Sequence, residues 1–230
     1  PEDGILTLSP EEIATAVAHY EEQAPKMKIQ KFVPASGAAT RMFKELFEFV
    51  NEDKRGAGID RLIDNLDKFA FYPELQQFVA NDADDKTKVD AIVKSGLCYG
   101  AKPKGLVTFH SYPDGNRKAV EEHLAEGAMY AASNGVVRIH FTVSPEHMEG
   151  FRSLLDEKLA HYEEMFGVKY EITFSVQKPS TDTIAVNPDN TPFRTDNGDL
   201  LFRPAGHGAL IANLNEIDAD IIFVKNIDNV

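Results

Sequence analysis

"VVRIHFTVSPEHMEGFRSLLDEKLAHYEEMFGVKYEITFSVQ", residues 136–177, decides the fold. Two apolar stretches suited to strands, "VVRIHFTVS" and "KYEITFSVQ", enclose one helical stretch. Ser144-Pro145-Glu146 supplies the helix start, a capping side chain followed by a proline whose missing N–H costs nothing there. The helix is expected to run to about Phe166-Gly167. The same alternation extends on both sides. Upstream, "GLVTFH" (105–110) reads as a strand and "RKAVEEHLAEGAMYAASNG" as a helix stopped at Gly135. Downstream come "TIAVNPDNTPFRT", a hairpin turning at "PDN", then "HGALIANLNEI", a short helix, and "ADIIFVKNID", an apolar strand. Near the start, "SPEE" (9–12) opens a first helix with a capping box. Residues 30–34 read as a buried strand. Strands alternating with helices imply an α/β fold, a three-layer sandwich with a mostly parallel mixed sheet covered on both faces.

The whole chain, 1–230, reads as a single domain, with a helical insertion at about 51–101. Composition is that of a globular protein, 43% hydrophobic and 27% charged, with no low-complexity tract and no internal repeat. A net charge of −13 argues against a nucleic-acid partner, which would call for a basic face. No apolar run reaches the roughly 18 residues that a membrane span needs, so no membrane partner is expected. One cysteine, Cys98, excludes an internal disulfide and fits a reducing compartment. The expected location is cytoplasmic.

Ligands of open α/β sheets gather at the carboxyl ends of the strands, and unusual clusters stand there. "PASGAATRM" follows the first strand. Its bare backbone at Gly37 and the alanines would admit a phosphate or base close to peptide N–H groups, with Arg41 adding charge. Tight strand–helix packing explains the same residues equally well. "KPKG" (102–105) offers Lys102 and Lys104 as point charges. "RPAGHGAL" sets His207 between two glycines at a helix start, for close approach or as a plain turn. "NIDNV" puts Asp228 at the tip of the last strand, either for Mg²⁺ or as a turn residue. Asp114 and Asp182 sit in turn-like contexts from which both could line the same cleft. The histidines at 110, 123, 140, 147 and 161 lack zinc-ligand spacing and are expected in packing or at the surface.

Taken in order, the small-residue loop with Thr40-Arg41, "PKG", "Q-x-P", "P-x-G-H-G" and "IFVKNIDN" resemble the UDP-sugar pyrophosphorylases. The likeness runs through residues 31–41, 102–105, 177–179 and 203–230. The phrases "FVPASGAATRMFK", "HFTVSPEH", "QKPSTDTIAV" and "KNIDNV" resemble still more closely the family described as domain of unknown function 4301. The resemblance implies a nucleotide-diphospho-sugar transferase fold of the GT-A, Rossmann-like type. It implies nucleotidyl transfer, uridylyl in kind, from a nucleoside triphosphate to a sugar-1-phosphate with release of pyrophosphate. A non-catalytic nucleotide-sugar-binding or regulatory module is the alternative. By position, Ser36, Gly37 and Ala38 would face the nucleotide and Arg41 the leaving pyrophosphate. Lys104 would meet the transferred phosphate, Gln177 the base edge, Gly206 the base and His207 the sugar phosphate. Asp228 would bind Mg²⁺ or the ribose. The chain departs from the pyrophosphorylase pattern at Ala39 and Ala205, which stand where glycines are usual. Members of that fold group carry a second half with an acceptor site, so further chain beyond Val230 is expected.

Overall fold

The computed structural model describes residues 4–37 and 42–230. Its helices are α1 (Pro10–Gln23), α2 (Lys44–Glu52), α3 (Ala57–Asp64), α4 (Tyr72–Leu75), α5 (Asp85–Asp90), α6 (Ala119–Tyr130), α7 (Met148–Phe166) and α8 (Ile211–Leu214). Its strands are β1 (Ile29–Pro34), β2 (Thr108–Tyr112), β3 (Gly115–Lys118), β4 (Ala132–Ser133), β5 (Val136–Thr142), β6 (Lys169–Ser175), β7 (Thr183–Ile184), β8 (Phe202–Arg203) and β9 (Ile221–Val224). The fold is mixed α/β.

In the main sheet β6, β5, β1 and β9 lie side by side, all parallel. Along the chain these are the third, second, first and fourth strands of that set. The chain therefore builds outward from β1 in one direction, then returns to lay β9 on its other side. Such a reversal opens a crevice at the carboxyl ends of the two strands where it occurs, here β1 and β9.

Alternation along β5 explains which face is covered. Val137, Ile139 and Phe141 are fully buried and pack with Val33 and Ala35 of the β1 segment against Leu124 of α6 and Phe151 of α7. The intervening residues are polar and satisfy one another across the strands. Arg138 pairs with Glu171 at 2.8 Å, and the His140 imidazole bonds Thr173 and Ser175, each at 2.8 Å. On this face α8 makes its contact through Asn213, whose Nδ2 donates to Ser175 Oγ at 2.9 Å. Cover differs between the two faces. The helices α6 and α7 lie on one, while on the other Phe32 stacks on His140 and both Gln30 and Phe32 are buried.

Residues 57–101 carry short helices and turns that pack, with α2, around Phe43, Phe71, Leu75, Ile92 and Tyr99. Phe109 touches both this cluster and the main core. Two expectations fail locally. Residues 104–106 form a single turn, and the strand that follows, β2, pairs antiparallel with β3 away from the main sheet. The helix expected to reach Gly135 stops at Tyr130. Asn134 and Gly135 instead make the positive-φ turn (50° and 74°) of a tight β4–β5 hairpin. That turn is the ordinary use of an Asn-Gly pair.

Phe141 is fully buried at the centre of the main core, so Phe141→Ala should cost about 3–5 kcal/mol. Urea unfolding monitored by circular dichroism measures it.

Candidate functional site

The crevice is held from below by an ionic bridge inside the fold. Lys31 of β1 is wholly buried, and its Nζ lies 2.7 Å from Glu126 Oε2 on α6. The other carboxylate oxygen of Glu126 takes Lys225 Nζ at 2.5 Å, from the segment just past β9. Burial pushes the Lys31 amine down to about 8, with Glu126 opposing the drop. Burial alone would raise Glu126, but hydrogen bonds from Lys225 and Lys31 outweigh it and hold the carboxyl at about 2. One turn earlier on α6, His123 is buried and pushed down to about 3, first by burial and then by the Lys31 charge. The imidazole is therefore neutral. Its Nε2 carries the proton and donates to the Ile227 carbonyl at 3.2 Å.

These contacts fix the backbone that bears Asp228. Past β9 the ladder continues, with Lys225 N donating to Phe32 O and Ile227 N to Pro34 O, each at 3.1 Å. Asp228 thus stands beside the end of β1. Its carboxylate accepts from Lys104 Nζ at 2.5 Å. Burial opposes ionisation of Asp228, yet Lys104, helped by the His207 charge, holds it below the usual carboxylate range. Lys104 is aimed by a close approach. A Cβ on Gly105 would lie 2.5 Å from Phe151 Cζ and 3.0 Å from Val120 Cγ2, so only glycine seats this turn against α6 and α7. The neighbouring Lys102 instead lies over the Tyr99 ring, 5.5 Å from its centroid.

Above the ends of β1, β5 and β6 opens a cleft of about 540 Å³. Ser36, Gly37, Gln177, Gly206 and His207 line it together, as does Asp182. Ser144 Oγ donates to Ser36 O at 3.0 Å and so braces one wall. Gln177 Nε2 donates to Ala205 O at 3.1 Å and ties the opposite walls together. A Cβ added to Gly37 or to Gly206 would meet no described atom within 4 Å, and neither residue has positive φ. Among the described residues, neither packing nor a positive φ requires these two glycines. The space beside them belongs to the cleft.

Of the sequence-derived candidates, Ser36, Gly37, Gln177, Gly206 and His207 share the cleft, and Lys104 and Asp228 form the ion pair whose carboxylate feels His207. Ala38 and Arg41 fall outside the described residues. Among the described residues, the helix that follows this loop begins at Lys44. Asp182 and Asp114 do not share a cavity. Asp114 lines a separate one of about 440 Å³ with Arg117 and Tyr162. Sequence reading missed the Lys31–Glu126–Lys225 bridge, although a lysine within an otherwise apolar strand was its visible signal.

The donor set bears on the implied Mg²⁺. Among the described residues no three His, Cys, Asp or Glu side chains group to hold a metal. Asp228 is a single ionised carboxylate with one oxygen on Lys104. That does not make a protein-only metal cage. It fits an ion that arrives with substrate phosphates, as Mg²⁺ commonly binds through one or two carboxylates plus phosphate oxygens and water. No helix among the described residues is long and apolar enough to cross a membrane.

The chain belongs to the family described as Domain of unknown function (DUF4301), which matches residues 1–230. No curated protein and no solved structure matches it.

Glu126→Ala strands the buried Lys31 charge and should cost about 3–5 kcal/mol in urea unfolding. Acid should also weaken the fold. Below about 6.5 the unfolded chain gains a proton at His123 that the folded chain refuses down to about 3, and Glu126 repeats this between about 4.5 and 2. Stability is thus present above the unfolded values and falls with pH through these windows. Urea midpoints from about pH 7 to about pH 5 should decline in the wild type and decline less steeply in His123→Gln.

Proposed function

We propose that this member of the family is a nucleotidyltransferase-like domain whose cleft takes a nucleoside triphosphate or a nucleotide sugar. The reaction is uridylyl transfer to a sugar-1-phosphate. The observation that carries the reading is that Gly37 and Gly206 line one cavity while the described protein atoms require neither. Backbone left bare toward a cavity suits a ligand that approaches peptide groups closely. The parallel strand order, with β1 and β9 at its reversal, supports a Rossmann-like fold of the nucleotide-diphospho-sugar transferase type. With a single cysteine and no membrane or nucleic-acid partner in this reading, the domain works in the cytoplasm.

In this mechanism a phosphate oxygen of the sugar-1-phosphate attacks the α-phosphorus. The bond to the bridging oxygen breaks on the opposite side, and pyrophosphate leaves with that electron pair. Catalysis comes from alignment of two anions and neutralisation of the charge that develops. Ser36, Gly37 and Ala38 present backbone to the nucleotide. Gln177 and Gly206 meet the base, and His207 meets the sugar phosphate. Lys104 exchanges Asp228 for the transferred phosphate, and the resemblance assigns the leaving group to Arg41. Asp228, so released, would hold Mg²⁺, which supplies positive charge to the phosphates.

A second reading is favoured by the Lys104–Asp228 pair itself. If the two groups stay paired, the cleft binds a nucleotide sugar without turnover and the domain is a binding or regulatory module.

Titration with UTP and UDP-glucose, with and without Mg²⁺, alongside a pyrophosphate-release assay with glucose-1-phosphate, separates the readings. Lys104→Ala and Asp228→Ala should each lower pyrophosphate release by about 10²–10³ while circular dichroism stays native. Unchanged release in both variants contradicts the transferase. Wild-type binding without release favours the module.

A further inference from the structure

We infer that Asp182, in the wall of the cleft, reads hydroxyl groups of the ligand. The inference rests on the nucleotide reading above and names what this end of the cleft selects.

Asp182 is the one carboxylate among the described residues that line the cleft. It is half-buried, and its side chain has no hydrogen-bond or ion-pair partner among the described residues. Its position is nonetheless well fixed. It ends the turn Pro179–Thr181, its N–H donates to Pro179 O at 3.1 Å, and Thr181 Oγ1 donates to Lys178 O at 2.6 Å. Val176, Pro179 and Pro204 line the same cleft.

Charge then sorts the cleft. The carboxylate near His207, Asp228, is neutralised by Lys104. Among the described residues no cation is paired with Asp182. An unpaired carboxylate repels phosphoryl oxygens, and like charges brought together disfavour binding. A phosphate is therefore disfavoured beside Asp182, which faces an uncharged part of the ligand. An ionised carboxylate can only accept hydrogen bonds, through two oxygens. Its neutral counterpart is a donor pair such as adjacent hydroxyls. In a nucleotide sugar these come from the ribose 2′,3′-diol or from the sugar ring, and the shared chemistry is the vicinal diol. A site built around such an acceptor discriminates strongly against analogues that lack the hydroxyls.

Calorimetric titration of the wild type, Asp182→Asn and Asp182→Ala with UDP, 2′,3′-dideoxy-UDP and UDP-glucose tests this. The wild type should favour UDP over the dideoxy analogue by about tenfold or more if the ribose is read, or UDP-glucose over UDP by that factor if the sugar is read. Asp182→Ala should abolish whichever preference is seen, leaving affinity for the less hydroxylated probe within about twofold. Asp182→Asn, which keeps one acceptor oxygen, should fall between. A preference that survives in Asp182→Ala, or equal wild-type affinity for all three probes, overturns the role of Asp182 alone. Wild-type protein that binds none of the three overturns the nucleotide reading and this inference with it.

Discussion

Glu126 accepts Lys31 on one carboxylate oxygen and Lys225 on the other, joining β1, α6 and the continuation of β9 into one unit. Neither lysine is interchangeable with an apolar residue without consequence. A buried charge with its partner removed is among the costliest defects in a core. The bridge lies directly beneath the reversal in strand order, where the chain ends of β1 and β9 must stay level for their loops to face one space. His123 adds a neutral hydrogen bond to the Ile227 carbonyl, one residue before Asp228. Rigidity at the crevice is thus generated by polar groups on the covered face, in a layer otherwise filled with Val, Ile and Phe.

The cleft shows a different economy. Its walls come from four separate segments, and two cross-wall hydrogen bonds, Ser144 to Ser36 and Gln177 to Ala205, hold them at a fixed width. Glycine serves opposite purposes around it. At Gly105 the missing Cβ lets Lys104 approach through a packed contact with Phe151, whereas at Gly37 and Gly206 it leaves empty space. That difference separates a residue needed by the fold from residues the fold does not explain. Charge is arranged with similar asymmetry. Lys104 is already engaged by Asp228, so an anion that used this lysine would have to displace that carboxylate.

Much of this was legible in the sequence where a local signal and the tertiary outcome agree. The β5–α7–β6 unit followed from two apolar stretches around a capped helix, and "SPEE" from its capping box, whose two reciprocal hydrogen bonds form as expected. Legibility failed where a short signal has two meanings. Asn134-Gly135 reads as a helix stop or as a hairpin turn, and only pairing with β5 decides. "GLVTFH" has strand residues, but whether a strand joins the main sheet depends on neighbours far away in the chain. The polar face of the sheet was hidden because Arg138, His140 and Glu171 look like ordinary exposed alternation until their partners are known. At the site, the strand-end rule pointed to the Gly37 and His207 clusters, which share the cleft, while Gln177 was implied by the resemblance alone. The pairing of Lys104 with Asp228 across 124 positions was not, since no local pattern encodes it.

The central claim is that the space above the ends of β1, β5 and β6 is where a nucleotide binds. Amide NMR of isotope-labelled protein titrated with UDP in the presence of Mg²⁺ tests this most directly. The separate cavity at Asp114, Arg117 and Tyr162 serves as an internal control. Shifts confined to Gly37, Gln177, Gly206 and His207, with Asn116 and Tyr162 unmoved, are the predicted result. Shifts centred on Asn116 and Tyr162, or no saturable shift anywhere, would contradict it.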